Sequence, residues 1–193
     1  MGVSFKDLGA DILLAEQLLE PSLCNHVVQI AECYEFRSPP AGASLTGEQR
    51  SGEVLPLDNR DPLMESTNQL LLSQLQSIRD LLTKRYQVPF SHAELYSIDR
   101  YRPGQSYKRH ADGLLLSNRY EELAKGLPAR DVSIIGYLNQ EFEGGELVFD
   151  RQNVKVKPAI GNAIVFPACY THPYQTLPVL RGCKYTVTCW LLH

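Results

Sequence analysis

The chain has 193 residues, enough for one domain with a sizeable core, and its 44% apolar and 21% charged content is that of an ordinary globular protein. Its 19 Lys and Arg against 22 Asp and Glu leave a net charge of -3, which argues against a nucleic-acid or membrane-surface partner. No apolar run approaches a membrane span, the first residues lack the basic and apolar regions of a signal peptide, and the five cysteines include no Cys-x-x-Cys. Reduced thiols in a cytoplasm are expected.

In chain order, residues 13–19 form an apolar lead-in. Pro21 then suits the first turn of a helix, with Leu23, Val27, Ala31 and Tyr34 at helical spacing. Residues 37–53, rich in Ser, Pro, Gly and Ala, read as a loop. A second helix is predicted from Asp61-Pro62 to before Pro89, with Met64, Leu71, Leu75, Ile78 and Leu82 as its buried stripe. From Glu94 the period changes to two. Eight short strands are expected, near 95–101, 106–111, 132–139, 146–150, 153–157, 162–166, 171–177 and 183–191, with glycines between many of them. Short strands without intervening helices imply a sandwich or barrel, and eight of them suggest a jelly roll. The expected fold is therefore mainly β with N-terminal helices (α+β). It is a single domain over residues 1–193, in which a helical N-terminal segment (residues 1–92) supports a double-stranded β-helix over 93–193. The polar stretch 113–130 is positioned to be a rim or lid.

The chemistry gathers around His110-Ala111-Asp112. Alternate residues of a strand share a face, so His110 and Asp112 can point into one cavity, and His172 is available far downstream as a third donor. Two histidines and a carboxylate on one side of a metal leave the opposite positions open, as in non-haem Fe(II) oxygenases. In 183–191, Lys184, Thr186, Thr188 and Trp190 share one face; in 132–139, Ser133, Ile135, Tyr137 and Asn139 do. An inward lysine needs a negative partner. With a phenol hydroxyl beside it, such a lysine would hold one end of a small dicarboxylic acid while the other end meets the metal.

These residues carry a family resemblance. The ordered series runs Tyr101-x-x-Gly104-Gln105-x-Tyr107-x-x-His110-x-Asp112, Ser133-x-x-x-Tyr137-Leu138-Asn139, Glu143-Gly144-Gly145-Glu146-Leu147-x-Phe149, Gly161-Asn162-Ala163-x-x-Phe166, His172, and Gly182-x-Lys184-Tyr185-x-x-Thr188-x-Trp190. It resembles the 2-oxoglutarate- and Fe(II)-dependent dioxygenases of the prolyl 4-hydroxylase type over most of the chain. The resemblance implies that His110, Asp112 and His172 ligate Fe(II). Lys184 would pair with the distal carboxylate of 2-oxoglutarate, helped by Tyr137 and Thr188, with Tyr101 lining the pocket. It further implies dioxygen as co-substrate, ascorbate as a further cofactor whose need the sequence leaves open, and hydroxylation of a C–H bond with release of succinate and CO2. Retention of Asp112 favours hydroxylation over halogenation. The interval from His172 to Lys184 is longer than usual for the family, and Arg181 is a competing cation.

The favoured target is a peptidyl proline; a free amino acid or small metabolite is the alternative. A zinc site, a nucleic-acid demethylase and a catalytically silent jelly-roll binding module are the remaining readings. The inward lysine has no task in a hydrolytic zinc site, and the acidic balance opposes a nucleic-acid substrate. A silent module should have lost a ligand or the lysine. His26, His92 and His193 are expected to be structural or solvated, Trp190 to pack beside the co-substrate, and the basic residues near the mouth (Arg100, Arg102, Lys108, Arg109) to be solvated.

Overall fold

The computed structural model describes residues 2–38, 50–58, 61–113 and 130–193. The expected loop 37–53 and rim 113–130 therefore fall largely outside the described residues. Eight antiparallel strands form the major sheet. In spatial order they are β1 (Ser4–Asp7), β2 (Leu13–Glu16), β11 (Ala163–Pro167), β7 (Val132–Tyr137), β14 (Lys184–Leu192), β5 (Ser97–Tyr101) and β3 (Glu53–Pro56), with β4 (His92–Ala93) paired to the end of β14. The minor sheet runs β10 (Val154–Val156), β9 (Leu147–Phe149), β12 (Tyr174–Thr176), β6 (Tyr107–His110), and β13 (Val179–Gly182) pairs with β8 (Phe142–Gly144).

Strand alternation sorts the side chains of the major sheet into two cores. Val132 and Ile134 of β7 and Val187, Cys189 and Leu191 of β14 face the helices, where they pack with Cys24, Val27, Leu71, Leu75, Ile78 and Leu82. On the other face, Ile135, Tyr137, Ile164 and Phe166 meet Leu147, Phe149, Val156 and Tyr174 of the minor sheet. The three layers are thus helices, major sheet and minor sheet, and the inter-sheet space holds the chemistry. All eight strands expected after Glu94 are present, and the architecture is the jelly roll that their spacing suggested.

The first helix, α1 (Pro21–Ala31), starts at proline and buries Cys24, Val27, Ile30 and Ala31. The predicted second helix is two: α2 (Pro62–Ser73) and α3 (Gln76–Tyr86). Asp61 caps α2 by accepting from the backbone amides of Leu63 and Met64, at 2.9 and 3.0 Å. The break at Gln74-Leu75 is invisible to periodicity because Leu71, Leu75, Ile78 and Leu82 stay buried across it. The N-terminal segment is also more than a helical support, since it adds β1, β2 and β3 to the major sheet. Glycine is required where β11 begins. Gly161 has φ +81°, and a Cβ there would lie 2.4 Å from the Leu19 carbonyl oxygen.

Candidate active site

Asp112 stands just beyond β6, buried between the sheets, and is held by donors from both. Ser133 Oγ of β7 donates to Oδ2 at 2.6 Å and Trp190 Nε1 of β14 at 3.0 Å. Tyr174 of β12 donates its hydroxyl to Oδ1 at 2.9 Å. Burial alone would raise the Asp112 pKa; a protonated His110 beside it, together with the Ser133 and Trp190 donors, outweighs burial and holds it below the usual value. Trp190 is therefore more than packing. Its indole orients the carboxylate, and the Arg130 guanidinium lies 3.5 Å above the centre of its ring.

His110 ends β6 and stacks on Tyr107, with ring centroids 3.6 Å apart. Its Nδ1 is 2.8 Å from the Lys108 carbonyl, an acceptor, so that nitrogen carries the proton. In the neutral ring, the Nε2 lone pair then faces Asp112 Oδ1 at 3.4 Å. His110 Nε2 is buried and has no hydrogen-bond partner among the described residues. Two acceptors aimed at each other in a buried site call for a cation, a proton or a metal ion, to bridge them. A backbone carbonyl fixing the far nitrogen is the usual support for a metal-binding imidazole. His110 and Asp112 thus fit two ligands of an iron ion.

The third expected ligand is elsewhere. His172 sits in the turn before β12. Its Nε2 donates to the Ala10 carbonyl at 2.7 Å and its Nδ1 is 2.8 Å from Thr171 Oγ1. Nε2 thus ties the β1–β2 turn, where Ala10 and Asp11 have positive φ, to the β11–β12 connection, and Nδ1 is engaged by the neighbouring Thr171. Among the described residues no three His, Cys, Asp or Glu side chains converge as a metal site. In this structure His172 therefore does not stand with His110 and Asp112 as the expected triad. His172 is a strut, and the side chain that meets Asp112 from this segment is Tyr174, the cross-strand partner of His110. The long His172–Lys184 interval was the sequence signal for this.

The co-substrate end is better provided. Lys184, at the start of β14, is 1% exposed and donates to the Gly145 carbonyl at 2.8 Å. Its Nζ lies 5.4 and 5.5 Å from the ring centroids of Tyr101 and Tyr137. Gly145 has φ +67°, and a Cβ there would lie 3.1 Å from the Lys184 side chain, so the glycine admits the lysine. No carboxylate is within ion-pair distance of Lys184 among the described residues, and burial pulls its pKa down to about 7. The Tyr137 hydroxyl is buried without a hydrogen-bond partner among the described residues, and burial raises the pKa values of both tyrosines, so both phenols stay protonated. A buried, unpaired ammonium beside an unpaired hydroxyl fits one carboxylate of 2-oxoglutarate. Arg181, the competing cation, is 83% exposed on β13 beside Glu143.

Thr188 does not join this cradle as expected. Its hydroxyl donates to Asp99 Oδ2 at 2.8 Å, and Asp99 also pairs with Arg50, whose guanidinium lies over Tyr107 and Tyr101. The buried Arg50–Asp99 pair at the edge of the cradle was missed in the sequence because its partners are far apart along the chain. Three of the basic residues near the mouth are ion-paired: Arg100 with Glu32 and Glu53, Arg102 with Glu53, and Arg109 with Asp150. No helix among the described residues is long and apolar enough to cross a membrane.

The sequence model of the 2OG-Fe(II) oxygenase superfamily matches residues 96–192, half of the chain. A putative prolyl 4-hydroxylase of Acanthamoeba polyphaga mimivirus is 28% identical over 180 residues, covering 89% of this chain and 73% of the relative. Prolyl 3-hydroxylase 2 of Rattus norvegicus is 26% identical over 204 residues, covering 87% of this chain but only 29% of that longer protein. The structure resembles the viral collagen prolyl hydroxylase of Paramecium bursaria Chlorella virus-1 in its 2OG complex. The TM-score is 0.69 at 21% identity, over 95% of this chain and 96% of the other.

Proposed function

We propose that this chain, which belongs to the 2OG-Fe(II) oxygenase superfamily, hydroxylates prolyl residues of a peptide or protein. The observation that carries the reading is the buried Lys184, without an anionic partner among the described residues, beside the ring of Tyr137, whose hydroxyl has no partner among them, in the same inter-sheet space as His110 and Asp112. An unpaired cation so deeply buried is costly unless an anion arrives, and the family's cosubstrate is a dicarboxylate of suitable size.

His110 and Asp112 hold the iron, with Ser133 and Trp190 fixing the carboxylate and the Lys108 carbonyl fixing the imidazole. Lys184 and Tyr137 bind the distal carboxylate of 2-oxoglutarate, and the Tyr101 ring closes the pocket beside Lys184 against water. When bound, iron and 2-oxoglutarate supply the oxidation, in which dioxygen is consumed, succinate and CO2 leave and one oxygen enters a C–H bond. Prolyl specificity is supported by the relatives named as prolyl 4- and 3-hydroxylases. A cytoplasmic setting is supported by five cysteines that are all free thiols.

The test is succinate release by the Fe(II)-loaded chain with 2-oxoglutarate over proline-containing peptides and free amino acids, with and without ascorbate. Peptide-dependent succinate and hydroxyproline are expected. Turnover with free amino acids alone, or with neither panel, would overturn the prolyl assignment.

A further inference from the structure

The position that a second imidazole was expected to fill is held by a phenol. Tyr174 opens β12 directly opposite His110 of β6, so their side chains share a face, with ring centroids 4.4 Å apart. The Tyr174 residue is 3% exposed, and its hydroxyl oxygen is 2.9 Å from the same Asp112 oxygen that lies 3.4 Å from His110 Nε2. Metal bonds to nitrogen and oxygen of about 2.0–2.2 Å set neighbouring ligand atoms about 3 Å apart when the bonds meet at right angles. Both separations at Asp112 Oδ1 are close to such an edge. His172 cannot take this place without giving up its bond to Ala10 and leaving that carbonyl unpaired.

We propose that Tyr174 is the third protein ligand of the iron, giving a His110–Asp112–Tyr174 centre in which His172 has no part. This rests on the oxygenase reading given above, and it departs from a two-histidine site. The phenol proton, now donated to Asp112, leaves to solvent when the metal arrives, since a ligand must be deprotonated. No electron changes hands in that step. Phenolate in place of imidazole adds a negative charge to the centre and favours the ferric state, so the bound iron is more readily oxidised than in a two-histidine site.

The test loads the full chain anaerobically with Fe(II), then oxidises it without 2-oxoglutarate and records the visible spectrum and resonance Raman scattering. Co(II) affinity is measured in parallel on the wild type, Tyr174→Phe, Tyr174→His, His172→Ala and His172→Gln. Phenolate bound to ferric iron gives a visible charge-transfer band and tyrosinate ring modes. Both are expected in the wild type and in His172→Gln, which can still donate to the Ala10 carbonyl. Tyr174→Phe should lose both and bind Co(II) at least about tenfold more weakly. Tyr174→His should lose the band but keep the metal. Circular dichroism separates loss of metal from loss of fold, and His172→Gln keeps the comparison available if His172→Ala unfolds. A wild type that binds Co(II) with no band and no response to Tyr174→Phe, or whose binding is lost in a folded His172→Gln, overturns the assignment and leaves the oxygenase reading standing. A wild type that binds no metal overturns both.

Discussion

Replacing Lys184 by methionine should stabilise the apo chain and destroy its grip on 2-oxoglutarate, two effects of opposite sign from one side chain. The lysine is buried without an anionic partner among the described residues, and burial pulls its pKa from 10.5 down to about 7. That displacement corresponds to a burial penalty on the order of 4–5 kcal/mol. Methionine keeps the volume and the apolar stem but forfeits the bond to the Gly145 carbonyl, about 1 kcal/mol. At pH 6 the variant should therefore be about 2–4 kcal/mol more stable toward urea than the wild type.

The pH dependence carries the sign. Below pH 7 the folded and unfolded chains both hold the proton, and the penalty is full. Between 7 and 10.5 the unfolded chain retains a proton that the folded one has released, so wild-type stability climbs with pH; above 10.5 the penalty is gone. The variant lacks this climb, and the two stability curves converge at alkaline pH. In the holo state the order inverts, because loss of the counter-charge weakens 2-oxoglutarate binding on the order of 2–5 kcal/mol, or about thirty- to several thousandfold. Urea unfolding from pH 6 to 10.5, with calorimetric titration of 2-oxoglutarate, checks both halves. Parallel stability curves, or unchanged cosubstrate affinity, would refute the placement of an unpaired cation in the pocket.

Asp99→Ala strands the buried Arg50 guanidinium and frees the Thr188 hydroxyl, and should cost about 3–5 kcal/mol in urea unfolding. The double variant Arg50→Met/Asp99→Ala should recover most of that, and equal losses in the two would show that the pair is not buried as described. Gly161→Ala should lower the thermal midpoint, through about 1–3 kcal/mol of backbone strain at φ +81° and a clash with the Leu19 carbonyl; an unchanged midpoint would contradict that turn. Asp112→Ala leaves the Ser133, Trp190 and Tyr174 donors facing a void and should destabilise the metal-free chain by about 2–4 kcal/mol. A metal-free variant as stable as the wild type would mean that those donors are not committed to the carboxylate.

The sheets were legible because alternation of period two is strong where both faces are buried. In β14, the face with Lys184, Thr186, Thr188 and Trp190 and the face with Tyr185, Val187, Cys189 and Leu191 both lie as the sequence pattern required. The short strands β1 and β3 were not legible, since mostly exposed or half-buried residues give no alternation to read. The helical break at Leu75 left the apolar stripe intact, so no pattern marked it.

The third ligand position failed for a different reason. His172 and Tyr174 have the same parity, but the strand begins at Tyr174, and the turn and Pro173 before it send His172 toward Ala10. Histidine reads as a ligand and tyrosine as core, yet here the histidine braces a turn and the tyrosine meets the carboxylate. Thr188 was placed on the correct face, but its partner, Asp99 on the neighbouring strand, could not be seen without the register that pairs Asp99 with Thr186.

The central claim, a metal position at His110 and Asp112 served by a carboxylate cradle at Lys184 and Tyr137, is tested most directly by anaerobic titration of the chain with Fe(II) and then 2-oxoglutarate. Chelation of ferrous iron by the 2-oxo acid gives a visible metal-to-ligand absorption band. The account predicts that the band grows to saturation at one equivalent of each in the wild type, and that Lys184→Met needs far more 2-oxoglutarate to reach it. A wild-type chain that develops no band at saturating Fe(II) and 2-oxoglutarate would contradict the account.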